Sequence, residues 1–205
     1  MEMPATDARA MLLTAAIQTD DVEKLIQLLQ DNSALVHVRI IDEKMIGRTL
    51  LHMATDWPGH FPRCAETIAA LIRAGADPNS AITGTDHHAE TPLHWTASCD
   101  DVAALDALLD GGADIERPGA IFTNGPAMSD AVIFAQWKAA RRLLERGAKT
   151  TLTQSAALGL QDRVANHFEG EPLPAQEITA ALWHACRGGQ QQIAAYLLDR
   201  GADRN

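Results

Sequence analysis

Apolar residues recur along the chain in short paired runs at helical spacing, and the clearest pair lies between Glu90 and Glu116. Leu93, Trp95 and Ala97 carry the first run, which Thr91-Pro92 opens. A proline in a first helical turn gives up an N–H that has no intrahelical partner there anyway. Asp100-Asp101 interrupts the pattern with the residue type whose carboxylate accepts the free amides of a helix start. Val102, Leu105, Leu108 and Leu109 then share one stripe of a second helix, and Gly111-Gly112 supplies the left-handed residue that ends it. The spacing predicts a helix-turn-helix with its own start and stop.

The offset from Thr91 to the closing Gly112 is 21 positions, and it recurs from Pro126 to Gly147 and from Ala180 to Gly201. From Thr49 to Gly75 it is 26 positions, and the surplus coincides with Asp56-Trp57-Pro58-Gly59-His60-Phe61-Pro62. Two prolines and a glycine forbid a continuous helix, so this is a loop inserted between the two helices of an otherwise regular unit. Met11 to Asn32 repeats the Asp-Asp-Val and Leu-Leu elements alone, and Thr151 to Gly170 keeps only scattered apolar positions.

The residues Thr91-Pro92-Leu93-His94 and the ending Leu108-Leu109-Asp110-Gly111-Gly112-Ala113-Asp114 resemble the ankyrin repeat, with its TPLH opening and LL-x-x-GA-D close. Thr49-Leu50-Leu51-His52 with Gly75-Ala76-Asp77, and Leu197-Leu198 with Gly201-Ala202-Asp203, carry the same marks. The resemblance covers nearly the whole chain and is strongest from Gly47 to Gly147. It implies an all-α fold: an ankyrin-repeat solenoid of about six helix-turn-helix repeats with β-hairpin fingers, forming a single domain over residues 1–205. The repeats fall at about 11–32 (an N-terminal cap), 49–79, 91–118, 126–150, 151–170 (degenerate) and 180–205 (C-terminal). Such units bury their apolar stripes only against neighbours. The segments 32–48, 76–90 and 113–125 are long enough for fingers, and Val36, Val38 and Ile40 alternate as in a strand. Only Ala148-Lys149-Thr150 follows Gly147, so the fingers belong to the first half.

Composition narrows the partner. Apolar residues make up 46% and aromatics 4%, which suits a core of Ala and Leu between thin helices. A formal net charge of −10 argues against a phosphate backbone as ligand, so no nucleic acid is expected. The N-terminal apolar run is too short for a membrane span and lacks a basic leader, and no membrane partner is expected. Cys64, Cys99 and Cys186 lie inside helical patterns without paired spacing, which fits reduced thiols and a cytoplasmic setting.

Candidate chemistry is sparse. His52 and His94 occupy the TPLH histidine position, for which the resemblance implies a local hydrogen bond and another to the next repeat. Asp86-His87-His88 sits at a finger tip. Neighbouring residues of a strand point to opposite faces, so the two imidazoles are poorly placed to chelate with His60 or His94, and neither a metal nor another cofactor is expected. Asp20-Asp21 and Asp100-Asp101 recur at one repeat position and read as turn and cap residues rather than an acid/base pair. Cys99 has no basic neighbour in sequence to activate it. Lys138, Arg141, Arg142 and Arg146 read as a solvated outer face.

Aromatic side chains supply large contact area at low entropic cost. Trp57 lies in the insertion and Trp95 on a first helix, while Trp137 and Trp183 fit either a contact surface or a gap between repeats. The resulting expectation is a non-enzymatic module that binds a protein or peptide on its concave face and fingers, through Trp57, His60, Asp86, His87, His88, Trp95 and Phe122. The alternative is a small-molecule binder or enzyme built in the same groove from His60, His88, Trp95 and Cys99. Fold alone does not separate them.

Overall fold

A computed structural model of the chain describes residues 1–85, 89–170 and 172–204. Among these, the α-helices fall into six consecutive pairs. The first three are α1 (Ala8–Gln18) with α2 (Val22–Asp31), α3 (Leu50–Ala54) with α4 (Cys64–Arg73), and α5 (Pro92–Ser98) with α6 (Val102–Asp110). The last three are α7 (Ala127–Ile133) with α8 (Trp137–Glu145), α9 (Leu152–Leu158) with α10 (Gln161–Asn166), and α11 (Ala175–Arg187) with α12 (Gln191–Leu198).

The helix starts follow local chemistry. Thr49, Thr91 and Thr151 each form a capping box, in which side chains at the first and fourth positions satisfy each other's free amides. Asp21 and Asp101 accept the amides of Lys24 at 2.9 Å and Ala104 at 3.1 Å, so both aspartate pairs are turn and cap residues. Gly112 takes φ 91°, beyond reach of most side chains, and ends the third pair.

Three short strands accompany the helices: β1 (Glu2–Pro4), β2 (Arg39–Ile41) and β3 (Gly47–Thr49). β2 and β3 pair antiparallel with Arg39 opposite Thr49, which makes the first finger a β-hairpin. β1 joins β2 in parallel, an edge the sequence pattern did not suggest. The strand expected from Val36 onward begins later, because Ser33–His37 forms a 3-10 helix that turns Leu35 and Val36 into the core. In the second finger, Thr83 bridges to Gly47 and the Ile82 amide donates to the Glu90 carbonyl. In the third, Gly119 and Ala120 both donate to the Gly125 carbonyl. No named strand forms in either of these fingers among the described residues.

Stacking between pairs buries the stripes. The first helices contact one another in series from α1 through α3, α5, α7 and α9 to α11, and α2, α4, α6 and α8 form a second ladder. Leu71, Leu108 and Leu143, at one position of successive second helices, are fully buried. One core cluster extends from Met3 to Leu158 and another from Leu152 to Ala202, and α9 contributes to both. The basic residues of α8 are more than a solvated face. Arg142 and Arg146 both reach Asp106 on α6, at 2.8 and 2.7 Å, and tie the fourth pair to the third.

Candidate functional site

The histidines of the two TPLH-type openings are structural. His52 Nδ1 lies 2.8 Å from Thr49 Oγ1, and Nε2 donates to the Glu90 carbonyl at 3.1 Å. His94 repeats the arrangement with Thr91 Oγ1 at 2.9 Å and the Gly125 carbonyl at 3.2 Å. A carbonyl only accepts, so Nε2 carries the proton and the ring is neutral. Burial lowers the pKa of His52 to about 3 and of His94 to about 4, which holds both in that form. Each ring is a strut from one unit to the next finger.

A hollow of about 440 Å³ lies between the first helices and the fingers. Thr55, Asp56 and Trp57 come from the insertion after α3, and Glu90 from the end of the second finger. Trp95 and Ser98 come from α5 and Cys99 from the turn after it, Ile121 from the third finger, and Phe134 and Gln136 from the turn after α7. Gln136 donates to the Ser98 carbonyl at 3.0 Å and fixes the far wall. Trp57 stands 81% exposed at the mouth, so the hollow opens to solvent rather than closing over a ligand.

Polar contacts order the walls. The Trp95 ring meets His52 edge to face, with centroids 5.0 Å apart. Arg48 from β3 lies over Trp95, 6.0 Å from its centroid, and pairs with Asp56 at 3.4 Å while also binding Asp42. Burial raises the Asp56 pKa, partly offset by Arg48. Asp130 on α7 is fully buried, and neither carboxyl oxygen has a well-formed hydrogen bond. Burial, reinforced by the charge of Glu90, pushes its pKa up to about 7.

Trp57 and Trp95 thus share one hollow. Phe122 is 66% exposed and packs on Phe134, centroids 6.0 Å apart, so it extends the aromatic wall without lining the hollow. His60 goes elsewhere: its amide donates to Asp101 Oδ2 at 2.7 Å and its Nε2 to the Cys99 carbonyl at 2.9 Å, which pins the insertion onto the next turn. Asp86, His87 and His88 lie outside the described residues. Sequence reasoning missed Asp56, Glu90, Ile121, Phe134 and Asp130. Only Asp130 left a signal, a charge on the apolar run of a first helix.

For the alternative reading, Cys99 lines the hollow, but His60 binds its backbone carbonyl, and burial raises the thiol pKa. A neutral thiol is a poor nucleophile. Trp183 is 57% exposed, under Arg187 at 4.9 Å, and Trp137 packs against the core. Among the described residues, no group of three or more His, Cys, Asp or Glu could hold a metal, and no helix is long and apolar enough to cross a membrane.

A comparison with curated proteins finds no match. The ankyrin repeat family model matches residues 46–82, 88–119 and 180–205, which carry α3 to α6 and most of the last helix pair. With those matches and the stacked helix pairs that carry them, the chain is an ankyrin repeat domain-containing protein.

Proposed function

We propose that this protein is a non-enzymatic interaction module that binds a protein or peptide on the face formed by its first helices and fingers, centred on the second to fourth helix pairs. Ankyrin repeats generally serve as protein–protein interaction modules. The observation that carries the choice of face is the open aromatic hollow: Trp57, Trp95 and Phe134 line it, and Phe122 extends it. Exposed aromatics around a depression are what interface anchors require. All six helix pairs are read as repeats of one domain, with 11–32 as its N-terminal cap and 151–170 as its degenerate member. The acidic chain disfavours nucleic acid as the partner.

The test is affinity capture with wild type and a Trp57→Ala/Trp95→Ala double variant, each checked for native helicity. Partners recovered by wild type and lost by the variant support the face. Equal recovery of the same partners removes it.

A further inference from the structure

α10 is six residues long, packs mainly on its own partner α9 and does not extend the ladder of second helices beyond α8. An open hollow of about 510 Å³ lies beside that break, along the link from α8 to α9. Lys149 and Thr150 of the link line one side of it, and Arg163, Asn166 and His167 line the other. The last three stand at i, i+3 and i+4 along the end of α10, so they share one face. Among the described residues, no carboxylate lines this hollow. Asp162 adjoins Arg163 in sequence, and neighbours on a helix do not face the same way.

The cations here are held differently from those of the helix ladders. Arg48, Arg63, Arg142 and Arg146 are each bound by carboxylates. Arg163 instead donates from Nη1 to the neutral Thr150 Oγ1 at 3.0 Å, and Thr150 lies 2.8 Å from Ser155 Oγ, where its own hydrogen goes. The guanidinium is therefore positioned without being neutralised, and most of its five N–H donors stay available. Glu116 Oε1 accepts the Lys149 backbone amide at 2.7 Å, but no ion pair reaches the Lys149 ammonium among the described residues.

We infer that this hollow holds one phosphate group, either as the free ion or on the phosphorylated side chain of a partner. Lys149 and Arg163 meet its charge, and Asn166 and His167 donate to its remaining oxygens. A phosphate monoester carries a charge of about −1.5 to −2 near neutral pH and three strong acceptor oxygens, which suits two cations flanked by neutral donors better than a single carboxylate does. A long polyanion is disfavoured, because beyond this patch it would meet a chain of net charge −10. The lining shares no residue with the aromatic hollow, so the inference does not depend on the face proposed above.

The experiment titrates the full chain, at fixed ionic strength, with inorganic phosphate, a Gly-phosphoserine-Gly peptide, the same peptide unphosphorylated, and glutarate, and follows backbone amide shifts by NMR. The two phosphate probes are expected to bind and to move the amides of 147–150 and 163–167, and the other two are not. Lys149→Gln/Arg163→Gln changes two exposed side chains and should weaken phosphate binding about tenfold or more. A control, Lys24→Gln/Lys44→Gln, removes two exposed cations early in the chain and should bind as wild type. Both variants are checked for native helicity. Tighter binding of the phosphopeptide than of inorganic phosphate assigns the group to a protein side chain, and inorganic phosphate binding at least as tightly assigns it to the free ion. No binding of either phosphate probe overturns the inference, as do shifts confined to other parts of the chain, glutarate binding as tightly as phosphate, or equal weakening in the two variants.

Discussion

Asp100 Oδ1 accepts the backbone N–H of Ala139 at 2.7 Å, so a turn residue of the third helix pair caps the start of the second helix of the fourth. Asp20 does the same for Arg63 at 3.1 Å, one junction from the N-terminus. Both aspartates hold φ near the left-handed region, at 59° and 56°, a conformation that Asp tolerates better than most residues. The aspartate pair therefore divides its labour. The first residue bridges to the following unit, and the second caps its own helix, with Asp101 also accepting the His60 amide of the preceding unit.

Asp100→Ala removes a charge-assisted hydrogen bond and puts a methyl side chain in a left-handed conformation. Together these should cost about 2–3 kcal/mol of unfolding free energy. Asp100→Asn keeps an acceptor and the tolerance for this backbone, and should cost under about 1 kcal/mol. Urea unfolding of the two variants checks the order, and an alanine variant as stable as the asparagine one would mean the Ala139 contact contributes nothing.

Ala135 holds the equivalent turn in the fourth pair at φ 59°, where the fifth and sixth pairs place Gly159 and Gly189. Alanine pays the steric cost of the left-handed region without any compensating bond from its side chain. Ala135→Gly relieves that cost and gives back part of it as unfolded-chain entropy, for a net gain of about 0.5 kcal/mol. A rise in the thermal midpoint is the expected reading, and a fall would show that the methyl group packs usefully.

Leu108 is fully buried between its own first helix and the neighbouring pairs. Leu108→Ala leaves a cavity that stacked backbones cannot collapse, and the expected loss is about 2–5 kcal/mol by chemical denaturation. A loss under about 0.5 kcal/mol would place Leu108 outside the core and break the repeat register.

The helix pairs were legible because each carries its own punctuation. Thr91-Pro92 opens, Asp101 caps and Gly112 closes, all through local bonds that sequence spacing reports. The insertion was visible as Pro58 and Pro62 in a place where the sibling units have no proline. The hollow was legible only by half. Trp57 and Trp95 stand out by residue type, whereas Glu90 and Phe134 reach it through the path of a finger and the length of a turn. The bond from the His60 ring to the Cys99 carbonyl, made from a residue at a left-handed φ of 60°, leaves no trace in spacing. Val36 alternates like a strand, but Asn32 caps a 3-10 turn by accepting the Ala34 amide at 3.2 Å, and local capping prevails.

Asp130 and His94 should oppose each other in the pH dependence of stability. The folded pKa of His94 is lowered from 6.5 to about 4, so below 6.5 the unfolded ring takes up a proton that the folded ring refuses. Stability from this group falls as pH drops from 6.5 toward 4, and His52 acts in the same direction. The folded pKa of Asp130 is raised from 3.8 to about 7, so across that window the folded state keeps a proton the unfolded state has lost. Its contribution therefore falls as pH rises from 3.8 and levels off above 7. Asp130→Asn removes the ionisation and keeps the shape. The variant should be more stable than wild type by roughly 2 kcal/mol at about pH 8, with the difference shrinking toward zero near pH 4. Its stability should consequently drop more steeply on acidification than that of wild type, because the histidine slope is no longer offset. Denaturation at a series of pH values reads both curves, and a pH-independent difference between them would mean that Asp130 is already ionised and stabilised in the folded protein.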